Sequence, residues 1–184
     1  MEKVNIGIIG VGRIGRLHAR NLKYQIPGSK VLAVADIFEK SARETASQLE
    51  ISIAEKDYRV LLENKDIDAV VICSSTDTHA QIISEAAQAG KHIFCEKPIA
   101  LDIDKIDQAV TAVKKAGVKL QVGFNRRFDP SFKKAKELVI AVNCLPAVID
   151  SSPDTTFIFQ SNYSGINISC FSNSRVNQAA AHRH

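Results

Sequence analysis

The sequence predicts an α/β chain built on a doubly wound parallel sheet, and three observations predict it. Short apolar runs alternate with longer amphipathic stretches through the first 140 residues. The short runs are apolar almost throughout rather than at every second position, as strands covered on both faces are. The first of them breaks directly into Gly10-Val11-Gly12-Arg13-Ile14-Gly15, a glycine-rich turn that opens a helical stretch. Strands that alternate with helices bury their faces best as a parallel sheet with helices on both sides.

The expected strands are residues 4–9, 30–35, 69–73, 92–95 and 119–122, each rich in β-branched residues and bounded by turn formers. Four helices are expected between and after them. Residues 14–24 place Leu17 and Leu22 on one face, and 41–50 are rich in Ala and Glu. Residues 78–89 carry Ile82, Ile83, Ala86 and Ala87 at helical spacing. Residues 104–116 do the same with Ile106, Ala109, Val110 and Val113, and Gly117 supplies a left-handed stop. One of Thr76, Asp77 or Thr78 is expected to cap the third helix, with His79 in its first turn.

Composition narrows the function classes. The 184 residues carry a net charge of +4 with the two signs interspersed. No basic arm with interleaved aromatics is present, which argues against nucleic acid. Cys73, Cys95, Cys144 and Cys170 form no C-x-x-C pair, so neither a zinc ribbon nor a disulfide framework is expected, and no metal site. Cys73 and Cys95 end apolar runs and read as buried reduced thiols. The N-terminal run is interrupted by Gly7, Gly10 and Gly12, unlike a signal peptide. The uncharged stretch 155–174 is too rich in Ser, Asn and Gln to span a membrane. A soluble, cytoplasmic protein is expected.

The composition changes near residue 140. Beyond it only Asp150, Asp154, Arg175 and Arg183 are charged, and no helical or strand period persists. Three segments are therefore expected: a dinucleotide-binding domain over 1–123, a connection over 124–140, and a poorly ordered tail over 141–184.

Three clusters carry chemistry. In the glycine turn, Gly10 permits the tight bend, Gly12 lets the backbone approach a pyrophosphate, and Gly15 lets helix and strand pack closely. The helix start then offers free N–H groups, those of Arg13 and Ile14 among them, to the diphosphate. Asp36, 21 residues after Gly15, would accept from the adenosine ribose and repel a 2′-phosphate, which favours NAD over NADP. The second cluster, Ser74-Ser75-Thr76-Asp77-Thr78-His79, follows a strand end that faces the ligand crevice, and Ser74, Thr76 and His79 are candidate cofactor contacts beside their capping role. The third is Glu96-Lys97-Pro98. A lysine there can donate to a substrate hydroxyl or ease the departure of its proton; a plain exposed loop lysine is the alternative.

Together these clusters resemble the N-terminal half of the Gfo/Idh/MocA oxidoreductases, and within them the inositol 2-dehydrogenase group. The resemblance runs over about residues 3–139 and rests on GIIGVGRIGRLHA from Gly7, AVADIF from Ala33, CSSTDTH from Cys73, GKHIFCEKPIA from Gly90 and VGFNRRFDPSF from Val122. It implies a Rossmann domain followed by an open α/β domain that covers the active site and often forms the oligomer interface. It implies reversible hydride transfer between a cyclic polyol hydroxyl and nicotinamide C4. It further implies that Lys97 touches the reacting hydroxyl, that Lys97-Pro98 is a cis peptide, that Glu96 lies beside the nicotinamide ribose, and that Arg127 lies near the active-site rim.

The departure from the family is equally specific. The family's second domain supplies an Asp-x-x-x-His pair whose histidine acts as general base. After His92 the only histidines are His182 and His184, and neither follows an Asp by four residues. The match ends around Val139, and the residues beyond it read as an out-of-frame or unspliced extension of a truncated coding region. On that expectation the second α/β domain is missing and the chain binds NAD without turnover.

Overall fold

The computed structural model describes residues 3–141, with side chains through Glu137. The expectations for the tail beyond that, Cys144 and Cys170 included, lie outside the described residues. The chain divides into two units between Gly123 and Phe124. The first holds six strands, β1 (Val4–Ile9), β2 (Ser29–Ala35), β3 (Ile53–Glu55), β4 (Ala69–Ile72), β5 (His92–Cys95) and β6 (Leu120–Val122). All pair in parallel, in the order β3-β2-β1-β4-β5-β6. Its helices are α1 (Arg13–Gln25), α2 (Glu39–Gln48), α3 (Arg59–Glu63), α4 (Thr76–Gln88) and α5 (Ile103–Ala116).

The order fixes where a ligand can sit. The chain starts at the centre, runs outward through β2 and β3, then returns to the other side of β1 and runs outward again. Right-handed crossovers place the helices of the two halves on opposite faces. The connections leaving β1 and β4 therefore diverge, and a crevice opens above their carboxyl ends.

The core follows from the apolar strands. Ile8, Val34, Val70 and Ile72 are fully buried in the sheet, and Ile83, Ala86 and Ala87 of α4 and Ala109 and Val113 of α5 cover it. Each large side chain so buried contributes about 1.5–3 kcal/mol. The helix α5 shows both end signals: Asp102 accepts from the Asp104 N–H at 2.9 Å, and Gly117 terminates it at φ +68°. Lys114 and Lys115 in its last turn complement the helix dipole.

Several expectations are corrected. Leu17 is not part of the inward face of α1; it is 52% exposed, and Gly15 and Ala19 face the sheet instead. The helix approaches β1 too closely there for a leucine. None of Thr76, Asp77 and Thr78 caps α4. Ser75 is the N-cap, without a side-chain bond, and the Thr78 hydroxyl donates to the Ser75 carbonyl at 2.7 Å. The elements β3 and α3 were not expected at all.

The second unit begins with a 3-10 turn, Asn125–Phe128, followed by α6 (Pro130–Ala141). Pro130 suits the first helical position, and the Asp129 carboxylate accepts from the Ser131 N–H at 2.8 Å. Among the described residues no helix is long and apolar enough to cross a membrane.

Candidate cofactor site

The crevice is built on the glycine turn. Gly10 adopts φ +88°, and a Cβ there would lie 2.6 Å from the Ser74 nitrogen. A Cβ on Gly15 would lie 1.9 Å from the Gly10 carbonyl oxygen, so α1 can leave the strand only where a side chain is lacking. Gly12 is different: a Cβ there meets nothing within 4 Å. It is the N-cap of α1 and makes no side-chain cap. Among the described residues no group accepts from the N–H of Gly12, Arg13 or Ile14. Open space above unpaired N–H groups at a helix start fits a diphosphate.

Asp36 is tied to that turn. Its Oδ2 accepts from the Val11 N–H at 2.8 Å and its Oδ1 from the Phe38 N–H at 2.9 Å. The Gly10 N–H meanwhile donates to the Ala35 carbonyl at 2.8 Å. The end of β2 and the glycine turn are thus one hydrogen-bonded unit. A carboxylate offers about four acceptor directions, so the remaining ones are available to ribose hydroxyls.

Gly10, Gly12, Arg13, Asp36 and Ser74 line one cleft of about 900 Å³. Sequence reasoning missed its outer wall. Ile37 and Phe38, 73% and 69% exposed, present apolar surface next to Asp36. Tyr58 and Arg59 line the cleft on the side of β3. The Tyr58 hydroxyl donates to Glu85 at 2.8 Å, Arg59 Nε lies 3.1 Å from the same carboxylate, and the guanidinium sits 4.9 Å above the Tyr58 ring. Burial, then the bond to Glu85, pushes the Tyr58 hydroxyl up to about 12. Arg16 also faces the cleft, with its Nε donating to the Val11 carbonyl at 3.0 Å. Arg16 and Arg59 are thus engaged by protein acceptors, and Arg13 and Lys56 also line the cleft.

Ile14, Gly15, Thr76, His79, Glu96 and Lys97 do not line this cleft. For His79 the direct cofactor contact is corrected: the residue is 1% exposed, and both ring nitrogens face backbone carbonyls. Nδ1 lies 2.8 Å from the Pro98 oxygen and Nε2 3.0 Å from the Ser74 oxygen. Glu96 and Lys97 stand at the carboxyl end of β5, and the Lys97-Pro98 peptide is cis, as the resemblance implied. Glu96 Oε1 lies 2.8 Å from His18 Nε2, and its Oε2 accepts from the Lys97 N–H at 3.3 Å. The His18 ring packs tilted against Phe94 with centroids 5.2 Å apart. A Cβ on Gly123 would come 3.3 Å from the Glu96 carboxylate, so this glycine too belongs to the Glu96 pocket. Burial, and then the Glu96 charge, pushes the Cys73 thiol up to about 12; burial raises Cys95 as well. Lys97 is exposed, and its ammonium has no hydrogen-bond or ion-pair partner among the described residues. Arg127 falls in the 3-10 turn of the second unit, its N–H donating to the Phe124 carbonyl at 3.2 Å. Among the described residues no group of three or more His, Cys, Asp or Glu could hold a metal.

Known proteins share this arrangement. The family model of the Gfo/Idh/MocA oxidoreductases, described as their NAD-binding Rossmann fold, matches residues 4–124. An uncharacterised oxidoreductase of Bacillus subtilis, YrbE, is 51% identical over 138 residues, or 75% of this chain and 40% of its own. Myo-inositol 2-dehydrogenase of Thermotoga maritima is 46% identical over 136 residues, 74% of this chain and 40% of its own. Among solved structures, scyllo-inositol dehydrogenase of Lactobacillus casei with bound NAD(H) and scyllo-inositol superposes with a TM-score of 0.71 at 37% identity, covering 76% of this chain and 42% of that one. The chain spans about 40% of the length of the curated relatives it matches. The glycine turn, the clamped Asp36 and the Glu96-Lys97-Pro98 loop thus sit in a matched domain, and the chain belongs to the Gfo/Idh/MocA oxidoreductase family.

Proposed function

We propose that this chain supplies the NAD(H)-holding part of a cytoplasmic dehydrogenase of the inositol 2-dehydrogenase type, which moves hydride between a cyclic polyol hydroxyl and nicotinamide. The observation that carries the cofactor assignment is the Asp36 carboxylate, held by the N–H groups of Val11 and Phe38 beside the open N-terminus of α1. Ribose hydroxyls would donate to it, whereas a 2′-phosphate would bring a second negative charge against it. Of the basic groups that line the cleft, Arg59 is held by Glu85 and Arg16 donates its Nε to the Val11 carbonyl, while Arg13 and Lys56 line it as well, so the preference rests on the Asp36 charge itself.

Bound in the crevice, NAD⁺ would supply a hydride acceptor at nicotinamide C4. Lys97 would orient the substrate hydroxyl from the end of β5 and favour loss of its proton, and Glu96 would accept from the nicotinamide ribose. Arg127 is assigned to the substrate side on the GFNRRFDP resemblance. The named substrates of the relatives, myo- and scyllo-inositol, support a cyclic polyol.

A second reading applies to the 184-residue chain taken by itself: it binds cofactor without turnover. The observation that favours it is the lack of a histidine preceded by Asp at four residues anywhere after His92. Calorimetric titration with NAD⁺ and NADP⁺, beside an assay for NADH formation from myo- and scyllo-inositol, tests both readings. Equal affinity for the two cofactors would sink the first assignment, and steady NADH production the second.

A further inference from the structure

We propose that His79 is a positioning residue: its Nδ1–H donates to the Pro98 carbonyl and fixes the loop that carries Lys97. The proposal rests on the assignment of Lys97 to the reacting hydroxyl. The ring is 1% exposed, yet neither nitrogen bonds within its own helix. Both face loops at the carboxyl ends of neighbouring strands, Ser74 after β4 at 3.0 Å and Pro98 after β5 at 2.8 Å. Carbonyl oxygens only accept, so each contact is a hydrogen bond when the nitrogen facing it bears the proton.

The surroundings of Lys97 explain why such a brace matters. Its ammonium has no partner among the described residues, so the side chain is placed by its backbone alone. On the N-terminal side Glu96 is held by one backbone bond and one side-chain contact. The Glu96 N–H donates to the Ile72 carbonyl at 2.9 Å, and the Glu96 carboxylate meets His18 at 2.8 Å. On the C-terminal side Ile99 is buried, and His79 is the one side chain among the described residues that bonds to the Pro98 carbonyl. The same ring reaches the Ser74 backbone, and Ser74 lines the cofactor cleft. The His79 ring therefore packs between the wall of the cofactor site and the loop of the proposed catalytic lysine, and its Nδ1–H holds that loop, without touching either ligand.

The ring can be read directly in the unmodified 184-residue chain labelled with ¹⁵N-histidine, the His79 signals being those lost in His79→Gln. A protonated Nδ1 is expected; an unprotonated Nδ1 overturns the proposal, and this measurement needs no variant to be stable in function. Two substitutions then separate the two ring positions. His79→Asn keeps an amide N–H where Nδ1 stands, and His79→Gln keeps one where Nε2 stands. Hydrogen exchange of the Glu96 amide should be roughly tenfold faster in His79→Gln and unchanged in His79→Asn, the effect of one lost hydrogen bond. Exchange of the Ile8 amide in β1 serves as the reference for global stability. Equal Glu96 exchange in the two variants overturns the proposal. NAD⁺ should slow chemical modification of the Lys97 amine in the unmodified chain and in His79→Asn, but not in His79→Gln. If NAD⁺ does not bind the unmodified chain, the cofactor assignment fails, while the ring spectrum and the Glu96 exchange still decide the role of His79.

Discussion

The Asp36 carboxylate performs two tasks with separate lone pairs, and substitutions can divide them. Asp36→Ala removes the ribose acceptor and also leaves the Val11 and Phe38 N–H groups without their partner. NAD⁺ affinity should fall at least about tenfold, as loss of charge-assisted hydrogen bonds implies, and the preference over NADP⁺ should narrow. Asp36→Asn retains an oxygen for one of those N–H groups but no charge, so it should narrow the preference with a smaller loss of NAD⁺ binding. Parallel calorimetric titrations check both; an undiminished preference in either variant would remove Asp36 from cofactor selection. At the same scale, Cys73 and Cys95 make stability fall with alkaline pH. Burial raises both thiols from 9.0, Cys73 to about 12. Their contribution is complete below pH 9.0 and is lost as the pH rises toward the folded values, because the unfolded chain releases protons that the folded chain keeps. Tyr58, raised from 10.0 to about 12 by burial, adds to the loss over the upper part of that range. The urea midpoint should be lower at about pH 10.5 than at pH 8, and the double variant Cys73→Ala/Cys95→Ala should flatten the slope. A wild-type midpoint constant across that range would contradict the assignment.

The turn between β1 and α1 shows that one motif contains physically different glycines. Gly15→Ala puts a carbon 1.9 Å from the Gly10 oxygen, a backbone atom that cannot yield without moving the strand. A cost of about 1–3 kcal/mol or more is expected. Gly12→Ala meets open space at φ −63°, so the fold should keep its urea midpoint while cofactor affinity drops. A Gly12→Ala protein that binds NAD⁺ normally would move the diphosphate away from this helix start. The long elements were legible in the sequence because their apolar residues repeat with the period of the element, as Ile82, Ile83, Ala86 and Ala87 do in α4. β3 and α3 were not, since three and five residues are too few for a period to register. Leu17 misled because close approach of α1 to the sheet demands small residues, which periodicity alone does not reveal. The site divides along the same line. Gly10 and Gly12 were legible because the glycine motif is local in sequence, and Asp36 because it closes the next apolar run. The partnership of His18 with Glu96 spans 78 positions, and that of His79 with Pro98 depends on two strand ends meeting. Such contacts exist only once the sheet is assembled.

Across the whole molecule, the buried apolar residues among those described run from Ile6 to Val122, within the first unit. That unit also holds the glycine turn, Asp36, the Tyr58 wall and the Glu96-Lys97-Pro98 loop. Core and cofactor groups therefore share one rigid source of order, and a polypeptide of residues 1–140 should fold with the urea midpoint and NAD⁺ affinity of the 184-residue chain. Loss of either on shortening would show that later residues contribute to the site. Catalysis makes a further demand. Hydride can leave a polyol carbon only as the hydroxyl proton finds an acceptor, and a positioned base typically accounts for ~10²–10⁴ of the rate. Orientation of the substrate accounts for a comparable or larger share. The 184 residues carry Lys97 but no Asp-x-x-x-His, and they cover about 40% of the length of relatives named as inositol dehydrogenases. With saturating NAD⁺ and myo- or scyllo-inositol, the isolated chain should bind cofactor and form no measurable NADH. Turnover abolished by Lys97→Ala would mean that another group takes the proton. Turnover that survives Lys97→Ala would instead remove Lys97 from the reaction.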